Sequence, residues 1–280
     1  MSRRASRTSQ LVTMMRAFAD AGLTEVRDFS DPTALPMLPL AWRVFTKLSL
    51  RRLRARPDAR AKVFESSKGR VDVVALRTRV LDEAWHAAHA GGTRQLVLLG
   101  AGLDGRAYRL DDVGDVAIFE VDHAETQSLK RARARSLVAR SASHSYVAVD
   151  FEHQRLDDAL EAARQDATRP TFWIWEGVTP YLTAEAQRAT LAAVARRSAP
   201  GSELAMEYIE PSQSDVHARL PRFLGEPWIG LMSRAEAAER LAQAGFTPLE
   251  DTNMTEWRAR FSSGPPRDSG AHQRIVVARR

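Results

Sequence analysis

From Gln95 onward, short apolar runs alternate with amphipathic stretches, and this alternation limits the possible fold more than any other feature of the chain. The runs are Gln95–Leu99, Ala117–Val121, Tyr146–Val149, Thr171–Trp175 and Glu203–Tyr208, each four to six residues long. Their length and their leucine, β-branched and aromatic content predict strands buried on both faces. Between and after them, residues 124–140, 156–165, 183–197 and 234–244 carry apolar side chains at helical spacing, and runs at 247–249 and 274–278 close the order. Strand and helix in turn predict an α/β fold with a doubly wound, mostly parallel sheet covered by helices. Ligands of such sheets bind outside the carboxyl ends of the strands, and the chemistry is expected there.

The first predicted strand runs into Gly100-Ala101-Gly102-Leu103-Asp104-Gly105, a G-x-G-x-x-G spacing in the strand-to-helix context of a nucleotide site. Gly100 and Gly102 let the backbone turn sharply and lie against a ligand, because neither has a side chain to fill that space. The second strand ends in Asp122, with Glu120 on the same face, and an acid about 20 residues after the glycines is the expected acceptor for ribose hydroxyls. The third ends in Asp150-Phe151, a carboxylate and an aromatic wall for adenine, and the fourth in Glu176-Gly177. Acids thus stand at three successive strand ends. NAD would set a pyrophosphate on the helix after the glycines, where further negative charge is unfavourable. S-adenosylmethionine has no phosphate and brings a sulfonium and an ammonium that carboxylates stabilise, so Asp104 and Glu176 favour it. A nicotinamide oxidoreductase, the alternative enzyme, would need a proton donor such as Tyr-x-x-x-Lys, and the sequence has none.

Ahead of the alternating region, residues 11–23 read as a helix, and Pro32, Pro36 and Pro39 break the pattern. Residues 40–60 form a basic amphipathic segment containing Arg43, Lys47, Arg51, Arg52, Arg54, Arg56 and Arg60, and residues 71–90 a further helix. Residues 1–70 are expected to be a helical cap and 71–280 the cofactor-binding domain, with 210–232 as a lid insertion. The 41 Lys and Arg against 35 Asp and Glu give a net charge of +6, which admits a nucleic-acid partner. Acids offset the basic segment elsewhere, and no Asn/Asp-Pro-Pro-Tyr-like motif or added RNA-binding module is present. A solvated helix face, without a nucleic-acid partner, is therefore expected. The absence of cysteine excludes disulfides, thiolate metal sites and a Cys nucleophile, and no metal site is expected. With no secretory h-region and no run near the ~20 apolar residues of a membrane span, a cytoplasmic protein without a membrane partner is expected.

Three segments in order, Leu98-Leu99-Gly100-Ala101-Gly102-Leu103-Asp104-Gly105-Arg106-Ala107-Tyr108-Arg109-Leu110, Phe119-Glu120-Val121-Asp122 and Trp175-Glu176-Gly177-Val178-Thr179-Pro180-Tyr181-Leu182-Thr183, resemble the leucine carboxyl methyltransferase family. Its bacterial branch includes polyketide O-methyltransferases similar to the tetracenomycin enzyme. The resemblance runs from about Ser6 to the C-terminus and implies a class I methyltransferase fold, Rossmann-like, with S-adenosylmethionine as cofactor. It implies that Gly100, Ala101 and Gly102 approach the methionine part, with Asp104 in the same loop. Asp122 would take the ribose, Asp150 and Phe151 flank the adenine, and Glu176 face the amino group. Arg77 matches the family arginine for the cofactor carboxylate, and Arg7 a second basic contact. Gly105 departs from the family's usual Thr.

The expected reaction is methyl transfer to an oxygen of a small acceptor, acidic or aromatic, of the secondary-metabolite kind. A carboxylate, with a pKa near ~4, is already ionised and needs no base, whereas a phenol near ~10 would be helped by one. His123, His144, His153 and His217 are the candidate bases. Tyr181, Tyr208, Trp228, Trp42 and Phe45 are expected to line the acceptor pocket, with Tyr181 and Tyr208 as catalytic candidates.

Overall fold

The computed structural model describes residues 7–55, 57–211, 226–264 and 272–280. Helices α1 (Arg7–Asp20), α2 (Ala34–Met37), α3 (Leu40–Ala55) and α4 (Pro57–Ala90) precede the sheet. There follow β1 (Gln95–Leu99), α5 (Arg106–Arg109), β2 (Ala117–Asp122), α6 (Ala124–Arg133), β3 (Ser143–Ala148), α7 (Leu156–Ala162), β4 (Phe172–Trp175), α8 (Ala184–Arg196) and β5 (Glu203–Ile209). After residue 226 come α9 (Arg234–Gln243), β6 (Thr247–Asn253), α10 (Met254–Phe261) and β7 (Gln273–Arg279). The sheet order is β3-β2-β1-β4-β5-β7-β6. The first five strands pair in parallel, while β7 lies antiparallel between β5 and β6.

Successive residues of a strand face opposite sides of the sheet, and each side here has its own apolar layer. Leu96, Leu98, Ile118 and Ile174 meet Leu76, Leu81 and Trp85 of α4 on one side. Val97, Leu99, Phe119, Val121, Trp173 and Trp175 meet Leu191 and Val194 of α8 and Leu241 of α9 on the other. All five residues of β1 are buried, which explains the apolar run Leu96–Leu99. Helix α1 packs on α4, and α4 on the sheet. The Asp72 carboxylate of α4 accepts from Thr24 Oγ1 at 2.5 Å and pairs with Arg258 of α10 at 3.4 Å.

Several elements differ from their sequence signals: α6 ends at Arg133 rather than at residue 140, and α7 at Ala162 rather than at 165. Residues 40–60, one basic segment in the sequence, are divided between α3, which ends at Ala55, and the 34-residue α4, which starts at Pro57, where a first-turn proline has no intrahelical bond to lose. At the sheet edge, β3 begins at Ser143 rather than Tyr146, and its exposed face carries polar residues that an apolar run misses. Capping boxes at Ser233–Glu236 and Asn253–Glu256 fix the starts of α9 and α10. No helix among the described residues is long and apolar enough to cross a membrane.

Candidate active site

At the end of β1 the chain turns through Gly100 (φ +70°) and Gly102 (φ +47°), backbone conformations that favour glycine. The Gly100 and Ala101 amides both donate to the Val121 carbonyl, at 2.8 and 2.9 Å, tying the turn to the end of β2. The space around these glycines is occupied. A Cβ on Gly100 would lie 2.0 Å from Val178 Cγ2, and one on Gly105 1.8 Å from Thr33 Oγ1. The glycine at 105 is thus matched by a hydroxyl arriving from Thr33, which itself donates to Asp31 at 2.5 Å.

Above the turn lies a cavity of about 670 Å³, walled by the glycine loop, the ends of β2 and β4, α1, Glu226, Pro227 and Ile229. Arg7, Arg77, Gly100, Ala101, Gly102, Asp104, Asp122, Phe151, Glu176 and Tyr181 all lie on its wall. Asp122 accepts from the Gly102 and His123 amides, both at 2.6 Å, and burial holds its carboxyl above the ordinary carboxylate range. Asp150 stands apart, in a neighbouring hollow with His123 and His153, and accepts from the Glu152 amide at 3.0 Å.

Charges are concentrated beneath the Glu176 side of the cavity. Glu176 is held by two arginines, Arg77 Nε at 2.8 Å on one oxygen and Arg106 Nη1 at 2.7 Å on the other. Arg106, completely buried, also pairs with Asp104 and, at 2.8 Å, with Asp82. Asp82 takes Arg109 as well, at 2.7 Å. Burial works against every one of these charges, yet the arginines hold Asp104, Asp82 and Glu176 below their ordinary pKa values. Arg77 in turn is raised by Glu207 and Glu176 against the opposing effect of burial.

Several residues expected at the site lie elsewhere. Tyr208 is not on the cavity wall: its side chain is buried within the sheet on β5 and donates to Asp251 of β6 at 2.8 Å. Its position is set by strand alternation, which turns Tyr208 into the core layer shared with Trp173 and Met206. Trp42 and Phe45 of α3, and Trp228, are likewise absent from the wall, although Pro227 and Ile229 on either side of Trp228 are on it. Of the histidines, His123 borders the cavity and His153 the neighbouring hollow. His144 lies 3.2 Å from the fully buried Glu120, which Lys130 meets at 2.6 Å, and His217 is outside the described residues.

Sequence reasoning missed four contributors. Arg106 bridges three carboxylates, and Glu207 pairs with Arg77 at 2.9 Å. Arg16 of α1 donates to the Leu103 carbonyl at 2.7 Å. Glu226 accepts from the Arg7 amide at 2.9 Å, drawing the start of α1 to residues 226–229. Only Glu207 carried a sequence signal, as an acid inside an otherwise apolar strand, since a buried charge requires a partner.

These residues fit S-adenosylmethionine. Gly100 and Gly102 leave backbone rather than side chain at the cavity floor. Each Glu176 oxygen retains a second lone-pair site, and Arg77 Nη2 makes no hydrogen bond among the described residues. Asp122 offers acceptors to hydroxyls. No group of His, Cys, Asp and Glu suited to a metal ion occurs among the described residues.

The model of the leucine carboxyl methyltransferase family matches residues 9–195. A Mycolicibacterium gilvum protein, provisionally named an S-adenosyl-L-methionine-dependent methyltransferase, is 34% identical over 278 residues, covering 94% of this chain and 88% of its own. One from Streptomyces coelicolor with the same provisional name is 37% identical over 221 residues, covering 73% and 72%. Among solved structures, a DUF574-family protein from Streptomyces avermitilis superposes with a TM-score of 0.64 at 16% identity, covering 99% of this chain and 98% of the other. A provisionally named methyltransferase from Thermobifida fusca gives 0.58 at 19%, covering 92% and 97%.

Proposed function

Because this chain belongs to the leucine carboxyl methyltransferase family and is an S-adenosylmethionine-dependent methyltransferase of the class I Rossmann-like fold, we propose that it methylates an oxygen of a small acidic or aromatic acceptor, with a carboxylate favoured over a phenol. A secondary metabolite of polyketide type is the acceptor class this reading favours.

In this reading Arg77 meets the cofactor carboxylate, for which a guanidinium is the natural partner. Glu176 accepts from the cofactor ammonium, the Gly100–Gly102 backbone lies along the methionine chain, and Asp104 adds negative charge beside it. Asp122 accepts from the ribose, Phe151 walls the adenine, Asp150 reaches the adenine edge from its neighbouring hollow, and Arg7 adds a basic contact at the start of α1. The cap of residues 1–70 and the cofactor-binding unit of 71–280 share α4, which runs through the boundary, and Thr8, Ser9 and Val12 of α1 give the cap its place on the cavity wall.

Bound S-adenosylmethionine supplies an electrophilic methyl group on a sulfonium. The protein's task is to hold the acceptor oxygen in line and to exclude water, and such positioning contributes several kcal/mol in favourable cases. The observation that carries the carboxylate reading is Tyr181. It lies on the cavity wall and burial raises its pKa above that of free tyrosine, so at neutral pH it is a hydrogen-bond donor rather than a base. A donor stabilises an acceptor that arrives ionised, as a carboxylate does. It cannot remove the proton of a phenol.

The test is transfer of labelled methyl to a matched pair, an aromatic carboxylic acid and the corresponding phenol. Methyl ester, recognised by release of methanol in mild alkali, is expected from the acid, with little product from the phenol. Alkali-stable ether as the sole product, or methylation only at nitrogen, would overturn the proposal.

A further inference from the structure

Glu207 is fully buried on β5, yet both its side-chain oxygens are engaged at the edge of the cavity. Arg77 Nη1 donates to Oε1 at 2.9 Å and the Gly177 amide to Oε2 at 2.6 Å. Its own carbonyl accepts from Thr179 Oγ1 at 2.7 Å. One residue of β5 therefore fixes two things that come from elsewhere in the chain: the guanidinium of α4 and the turn that follows β4. Gly177 stands at φ +67°, in the left-handed region that favours glycine. A Cβ at Gly177 would meet Arg77 and Glu207 only at ordinary contact distances, 3.8 to 4.0 Å. The constraint there lies in the backbone conformation and the bond to Glu207, not in space.

Arg77 is held on two sides, Nε by Glu176 and Nη1 by Glu207, and this fixes the plane of the guanidinium. With Nη1 released, the fork could turn to grip both Glu176 oxygens, as arginine does with an isolated carboxylate. That turn would carry Nη2 off its present course and use an acceptor site on Glu176. Burial holds the Glu207 carboxyl above its ordinary range although Arg77 opposes this. The protein thus keeps a costly acid in place beside the cavity.

We propose that Glu207 is a positioning residue of the cofactor site, acting through Arg77 and the Gly177 turn to present the guanidinium to the amino-acid end of S-adenosylmethionine. Glu207 does not itself line the cavity. The proposal rests on the assignment of Arg77 to the cofactor carboxylate, and the experiment separates the two.

Glu207→Gln keeps the shape but offers an N–H where one of the two donors must be accepted. Calorimetric titration compares S-adenosylhomocysteine with 5′-methylthioadenosine, which shares the nucleoside half and lacks the amino-acid half. Glu207→Gln should weaken S-adenosylhomocysteine at least tenfold and 5′-methylthioadenosine less than threefold. Arg77→Lys should show the same selectivity, and the double variant should lose little more than either single change, because both act on one interaction. Equal weakening of the two ligands would mean that Glu207 serves structure alone, and wild-type affinity for both would leave it no role; each overturns the inference. If Arg77→Lys fails to discriminate between the ligands, the placement of Arg77 falls first. If Arg77→Lys discriminates and Glu207→Gln does not, only the present inference falls. Should Glu207→Gln fail to fold, Glu207→Asp replaces it, keeping the charge but reaching only one of the two donors, with the same selective loss expected.

Discussion

The glycine turn gives the most direct check on the geometry of the site, through Gly100→Ala. Two costs add. At φ +70° a Cβ is placed in the left-handed region, which costs about 1–2 kcal/mol for a residue other than glycine. The same Cβ would lie 2.0 Å from Val178 Cγ2, and relieving such overpacking costs about 1–3 kcal/mol more. The expected loss is roughly 2–5 kcal/mol, which for a chain of this length lowers Tm by about 4–10 °C. Gly177→Ala isolates the first cost, since Gly177 has φ +67° and a Cβ there would meet its neighbours only at ordinary contact distances of 3.8 to 4.0 Å. It should lose about 1–2 kcal/mol. Val178→Ala in the Gly100→Ala background should recover the steric part, giving a coupling of about 1–3 kcal/mol in a double-mutant cycle. Urea and thermal unfolding of these three variants, of Val178→Ala alone and of the parent measure every term. A Gly100→Ala protein as stable as Gly177→Ala, or a cycle with no coupling, would refute the close approach of the β1 and β4 loops on which the site depends.

Two further outcomes follow from the buried charges. Arg106→Met leaves the Asp104 carboxylate without its main partner and strips one cation each from Asp82 and Glu176, so chemical denaturation should show a loss of about 3–5 kcal/mol; a loss under about 1 kcal/mol would contradict the network. The pH dependence has a definite sign. Asp82, Asp104 and Glu176 have folded pKa values below the ordinary 3.8, 3.8 and 4.5, so their contribution is present above those values and is lost as the pH falls through the depressed ones. Asp122 and Glu207, shifted upward, act in the opposite sense, their contribution falling as pH rises through the raised values. Asp104→Asn removes a member of the first group, and urea unfolding between pH 6 and 3 should therefore show a shallower acid-side fall than in the parent. An equal or steeper fall would refute the assignment.

Much of this architecture was legible because strands buried on both faces leave little choice of residue. Leu96–Leu99 of β1 and all of β4 are unbroken apolar runs, and their ends carry the glycine turn and Glu176. Edge elements were less legible. In β3, Ser143, His144 and Ser145 give no apolar signal, and β6 reads as polar over most of its length because, at the sheet edge, its residues are exposed or half-buried. Asp122, Glu176 and Arg77 were legible through motif and position, and all three reach the cavity wall. Tyr208 faces the core because strand alternation sets it on one side with Met206, and an aromatic in a strand has the same sequence appearance whether it faces core or cavity. Glu207 and Arg106 were missed for a related reason. Each acts through a charge on another element, Glu207 130 residues from its Arg77 partner and Arg106 70 from Glu176, and no local pattern records such a pairing.

The buried ion cluster is poorly explained by stability alone. Replacing buried ion pairs with well-packed apolar groups is often neutral or stabilising, and the two apolar layers already account for the core of the sheet. Yet Asp82, Asp104, Glu176 and Glu207 meet Arg77, Arg106 and Arg109 at one place, beneath the cavity and at the carboxyl ends of the strands. Fixed dipoles and charges serve a site best when they are already aimed before the ligand arrives, because reorienting them later costs free energy at each turnover. A flexible surface arginine would have to be ordered on every binding event. Arg77, clamped between Glu176 and Glu207, has given up that freedom during folding. The cluster is thus better understood as the scaffold of a pre-aimed cation and its adjacent acceptor, a pairing suited to a ligand end that carries both a carboxylate and an ammonium.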